Sequence, residues 1–183
     1  TQERHCDEIL RFSTNLEHLG DIIQKNLLEN ARRKADRRLQ FSKEGMAEIQ
    51  ALYARVKDNL QLGMNVFLSN DTKMARRLLK RKYMLNDLER LVSEKHFLRL
   101  EQDRSLSIAT SALHLDVLRD LKRINSHISS VCYSVLDAAG ELDDARRDLR
   151  ATARKAAEKA IAEGWGNLAD DGEEAEAGQR EAA

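Results

Sequence analysis

Glu17 and Asp21 stand four positions apart in the stretch "LEHLGD", and on a helix that spacing sets both carboxylates on one face, a turn apart. Like charges so placed repel unless a cation lies between them, and carboxylate oxygens are hard ligands suited to Fe, Mn, Mg or Ca. A solvated acidic edge, paired with Arg or Lys of a neighbouring helix, uses the same residues, and so short a pattern leaves both readings open. The framework recurs 105 positions later (121 − 16) as "LKRINS". There Leu121 matches Leu16, Arg123 matches His18 and Ile124 matches Leu19, but Lys122 and Ser126 replace the acids. The same offset carries Phe12 to Val117 and Ile23 to Ile128. This suggests a repeat, although two amphipathic helices also match this way by chance.

The other reactive side chains form no catalytic constellation, so the chain does not read as an enzyme. His5, His18, His96, His114 and His127 make no HxxxH or HExxH pair, and a structural role is expected of each. His127 follows Ser126 and could line the second edge. No nucleophile elbow, phosphate-cradling glycine loop or zinc-type spacing occurs. Cys6 and Cys132 lack CxxC spacing and read as buried or half-buried thiols. Gly20 reads as a site of close helix packing.

The elements that must position these residues are helices. The chain of 183 residues has no proline, which only long helices make easy to avoid, and its 4 % aromatic content argues against a sandwich or barrel. Ile9, Phe12, Leu16, Leu19, Ile23 and Leu27 make one helical stripe over 4–34. Ser42 reads as the cap of a second helix carrying Ile49, Leu52, Val56, Leu60 and Phe67. Asn70 or Asp71 caps a third, with Met74, Leu78, Leu85, Leu88 and Val92. A fourth is expected from Ser105, with the stripe Val117, Leu121, Ile124, Ile128, Val131, Val135, until Gly140 ends or bends it. Leu142, Leu149, Ala156 and Ala160 form a thin seam, so the fifth helix, stopping at Gly164, is expected to pack less firmly. The acidic end, 165–183, reads as disordered. The fold class is therefore all-α, an elongated antiparallel helical bundle.

Lys+Arg and Asp+Glu balance at 31 each, which gives no argument for a nucleic-acid partner. No apolar run reaches the roughly 18 residues a membrane span needs, and no signal peptide is visible. The first residue is Thr1 rather than methionine, which reads as a piece of something longer.

Three segments are long and unusual enough to carry a resemblance: "EILRFSTNLEHLGDIIQKNLLE", "FSKEGMAEI" and "TSALHLDVLRDLKRINSHISSVCYSVL". Together they resemble the PhoU family of helical phosphate-signalling proteins, whose signature is Leu-Glu-Arg-Ile-Gly-Asp, and most closely its cytosolic domains in bacterial sodium/phosphate cotransporters. That family is built from two three-helix repeats whose signature acids belong to metal clusters. The resemblance implies that 1–34 is the last helix of a first repeat, 42–139 a complete second repeat and 140–164 an extra helix. No likeness extends past Gly140. It further implies that Glu17 and Asp21 face a divalent or ferric ion (Fe, Mn, Mg or Zn), while Lys122 and Ser126 mark a degenerate copy. Lys82 stands where the pattern has an Asp, and reads either as a built-in charge for neighbouring acids or as a snorkelling surface lysine. Glu48 and Glu89 fall at acidic positions of the repeat and read as surface or salt-bridged residues.

The implied function is a cytosolic regulatory domain of a sodium-dependent phosphate cotransporter, at the cytoplasmic face of the bacterial inner membrane. Its partner would be the transmembrane part of the same transporter, with a homodimer through the first helix's stripe. The alternatives are a stand-alone PhoU-type phosphate-signalling adaptor and a structural bundle without ligand.

Overall fold

The computed structural model describes residues 2–102 and 108–164. The expected helix start at Ser105 and the expected disordered tail lie outside the described residues. Among the described residues every regular element is helical. α1 (Gln2–Asp21) runs through a π-helical turn, Ile22–Leu27, into α2 (Leu28–Asp36). α3 (Lys43–Ser69) begins where Ser42 Oγ accepts the Gly45 amide at 3.0 Å, a cap worth about 1 kcal/mol. It ends on Asn70 at φ 52°, after which Asp71 Oδ1 accepts the Met74 amide at 2.8 Å and starts α4 (Thr72–Gln102). Asn70 thus closes one helix and Asp71 opens the next.

The expected uninterrupted fourth helix is two, α5 (Ile108–Ile128) and α6 (Val131–Ala138). Ser129 Oγ donates to Asn125 O and Ser130 Oγ to His127 O, each at 2.7 Å. The break itself is a tightened turn, in which the amides of Ser130, Cys132 and Tyr133 bond three residues back, to His127 O at 3.3 Å and to Ser129 O and Ser130 O at 3.2 Å, instead of four. Gly140, at φ 71°, ends α6, with the Glu141 amide closing on Leu136 O at 2.9 Å. α7 (Leu142–Ala162) follows.

α7 is not the loosely packed helix its thin seam suggested. Ala145, Ala153, Ala157 and Ala160 are buried against the core. Arg76 of α4 reaches Glu141 at 3.6 Å and Asp148 at 3.5 Å. Small side chains let two helix backbones approach closely, so an alanine stripe packs well while carrying little hydropathy.

The core holds Leu52, Val56, Leu85, Leu88, Val92, Leu118, Leu121 and Ile124, with a second cluster of Val66, Leu78, Leu79, Val135 and Leu136. α3 turns a face of Gly45, Glu48, Leu52, Val56, Asn59, Gly63 and Val66 inward. Gly63 is needed at its crossing with α5, since a Cβ there would meet Ile128 Cγ2 at 2.9 Å, and beside it Asn59 Nδ2 donates to Asn125 Oδ1 at 2.8 Å. Gly20 has no such neighbour within 4 Å, so its expected close packing is wrong.

Candidate functional site

The two copies of the motif lie on neighbouring rods. α1 and its π-turn pack along α5, and polar contacts set which face they turn inward. His127 Nδ1 lies 2.9 Å from Asn15 Oδ1, and Asn26 Nδ2 donates to Asp120 Oδ1 at 3.1 Å. Arg123 also donates to that Asp120 oxygen, at 3.1 Å. Asn15 and Asp120 occupy matching positions of the two copies (120 − 15 = 105), so each copy offers the same position to the opposite rod. His18 and His127 stack with centroids 5.3 Å apart. Burial, then the charges of His18 and Arg123, hold the His127 imidazole below its ordinary range.

These contacts rotate α1 away from the expected stripe. Phe12, Leu19 and Leu27 are half-buried and Ile22 is buried, whereas Ile9, Leu16 and Ile23 are 42, 38 and 46 % exposed. The face against α5 is partly asparagine, which a hydrophobic pattern does not register.

The predicted metal edge therefore points outward. Glu17 is exposed, and the half-exposed Asp21 carboxylate accepts from Lys25 Nζ at 2.8 Å. No group of three or more His, Cys, Asp or Glu side chains among the described residues is arranged to hold a metal. Two monodentate carboxylates do not fill the six or more positions of a hard cation, so these residues alone do not complete a site.

The counterpart edge is closed from within. Lys122 Nζ donates to Glu89 Oε2, and Ser93 Oγ donates to Glu89 Oε1 at 3.2 Å. The ammonium of Lys122 thus neutralises a largely buried carboxylate at the edge where the first copy presents two acids. Lys82 does not take that part and does not snorkel freely: its Nζ donates to Tyr133 Oη at 2.6 Å and lies 4.7 Å from that ring's centroid. Ser126 Oγ turns back to Lys122 O at 3.1 Å.

Glu48 is more than a surface acid. It is 4 % exposed, and Arg99 grips it with both terminal nitrogens, at 2.9 and 3.0 Å. His114 Nε2 lies 3.2 Å from Oε2, off a good hydrogen-bond angle, and its ring sits 4.7 Å from that of His96. Phe41 sets its ring edge against His114, with centroids 6.1 Å apart. Burial alone would raise the Glu48 pKa, but the close His114 imidazole and the hydrogen-bonded, charged Arg99 outweigh it and hold the carboxyl below its ordinary value. His96 is held low by burial, with His114 and Arg99 adding to the effect and Glu48 opposing it. The signal for this cluster was spacing: Glu48 falls at the step of Gly45, Leu52 and Val56 on one face.

Of the thiols, Cys132 is buried and pushed up to about 12 by that burial, while Cys6 is exposed rather than half-buried.

The PhoU domain family matches residues 49–135. A Salmonella typhimurium protein named "Putative inorganic phosphate export protein YjbB" is 44 % identical over 136 residues, covering 74 % of this chain and 25 % of its own length. The Escherichia coli K12 protein of the same name is 41 % identical over 140 residues, covering 76 % of this chain and 26 % of its own length. A Thermotoga maritima protein named "Phosphate-specific transport system accessory protein PhoU homolog 1" is 24 % identical over 135 residues, covering 74 % of this chain and 56 % of its own length. The chain spans about a quarter of the length of the export-protein relatives it matches. No solved structure matches it. An all-helical bundle, a matched domain over α3 to α6 and relatives at this identity agree: residues 49–135 of this chain match the PhoU domain.

Proposed function

We propose that this chain is a non-catalytic regulatory domain for phosphate transport, acting at the cytoplasmic face of a bacterial membrane on the transmembrane part of a sodium-coupled phosphate transporter. The observation that carries this reading is the 44 % identity to a relative named for phosphate export. No described helix is long and apolar enough to cross a membrane, so in this reading the transporting part is contributed by other sequence. Several apolar spans of about 20 residues encoded directly before Thr1 would fit the reading; an open reading frame starting at Thr1's own codon region without them would favour the second one.

Within that function Glu17 and Asp21 are the metal-facing edge. Their outward position fits a site completed by oxygen ligands from a second copy or from further sequence, while the Lys122–Glu89 pair makes the other edge independent of metal. Elemental analysis of the purified protein tests this. Bound manganese or iron should vanish in Glu17→Ala/Asp21→Ala and persist in Lys122→Ala. Metal retained by the double variant would contradict the assignment.

A second reading, a stand-alone adaptor acting on a separate transporter, is favoured by the Thermotoga relative, which is named an accessory protein and over half of whose length is matched.

A further inference from the structure

α3 and α4 enclose a groove that neither polar cluster uses. Arg55 lines it from α3, and Arg77, Lys80 and Arg81 line it from α4, against the single carboxylate of Asp58. Four cations against one carboxylate leave a net +3 (4 − 1) around one opening. Asn59, 2 % exposed, closes its inner side. The placement follows from helical spacing: 77, 80 and 81 share one face of α4, as 55, 58 and 59 share one face of α3.

Gathering like charges is unfavourable unless an anion is to be received, and a low-dielectric wall sharpens the field inside such a cleft. Several other cations of α4 are answered within the fold: Arg76 by Glu141 and Asp148, Lys82 by Tyr133, Arg90 by Asp87 and Glu94, and Arg99 by Glu48; Lys73 and Lys95 are exposed to solvent away from the groove lining. Arg77 and Lys80 have no ion pair with any described residue, and both face this opening. Arg55 is anchored in place, its Nη1 donating to Ala51 O at 2.6 Å.

Size narrows the ligand. The cavity is about 50 Å³. A water needs roughly 10–15 Å³ on that measure, so the space inside the groove suits a tetrahedral oxyanion. Arginine forks match phosphate oxygens in pairs, and lysine adds a compact point charge.

We propose that this groove binds a phosphate-type oxyanion, supplied either as free phosphate or as the phosphate of a lipid headgroup. The site rests on the groove alone and stands or falls separately from the regulatory role and from the Glu17/Asp21 edge.

The test has two arms at low ionic strength, both on the whole chain. Calorimetric titration with inorganic phosphate reports the free anion; co-sedimentation with phosphatidylglycerol against phosphatidylcholine vesicles reports the headgroup. Saturable binding is expected in at least one arm, and the responding arm identifies the source. Arg77→Gln/Lys80→Gln should weaken it at least tenfold with circular dichroism unchanged. Arg147→Gln/Arg154→Gln, which removes the same charge from exposed positions of α7, should leave it unaltered. Absence of binding in both arms, full binding by the groove variant, or equal loss in the α7 control would each overturn the proposal.

Discussion

Glu48 keeps a charge inside the bundle because Arg99 meets it with two nitrogens and His114 stands beside it. Removing one partner leaves the other charge buried without compensation, at a cost of about 3–5 kcal/mol for well-buried pairs. Arg99→Ala should therefore lower stability in urea by about 3 kcal/mol, and a loss below 1 kcal/mol would show that the pair is solvated. The imidazoles give a pH dependence of definite sign. His96 and His127 are both held below their ordinary 6.5. Below that pH the unfolded chain takes up protons that the folded chain refuses, so this stability is present above pH 6.5 and is lost as pH falls. Glu48, with a folded pKa below its ordinary 4.5, adds a further loss in the same direction at lower pH. Urea midpoints should fall between pH 7.5 and 5.5, and His96→Gln/His127→Gln should flatten that fall. A midpoint that rises on acidification would contradict the burial assigned to these rings.

At the scale of elements, two glycines that look alike in the sequence do opposite work. Gly63 sits at the α3–α5 crossing, where an added methyl meets Ile128 Cγ2 at 2.9 Å and its carbonyl oxygen at 3.3 Å. Gly63→Ala should destabilise by about 1–3 kcal/mol, the usual cost of overpacking. Gly20 has open space around its Cα, so Gly20→Ala should stabilise by about 0.5–1 kcal/mol through the restricted unfolded chain and better helix propensity. Paired thermal melts check both signs. The contrast also shows what the sequence made legible. Helix existence, the Ser42 and Asp71 caps and the Gly140 stop were readable because they rest on local chemistry: periodicity, a side-chain oxygen and a positive φ. The inward faces of α1 and α3 were read about one residue off, because Asn15, Asn26, Glu48, Asn59 and Gly63 point inward and carry no hydropathy signal. The firmness of α7 was missed for the same reason, its contact being made by alanines.

At the scale of the whole molecule, Glu17 and Asp21 were readable as a candidate pair, but their surroundings were not. A four-residue spacing fixes a face of a helix, whereas what lies opposite that face depends on how α1 is rotated against α5. The fold leaves that edge open to solvent and closes its counterpart with Lys122 and Glu89. In the function proposed above, the open copy is the one that responds to a ligand and the closed copy the one that holds its shape. The most direct measurement of the proposed role is phosphate flux in vesicles that hold the proposed transporter partner, with and without residues 2–164, as the phosphate held inside is varied. Flux is expected to continue without the domain but no longer to change with internal phosphate. Flux that responds identically in both cases would contradict the proposed role.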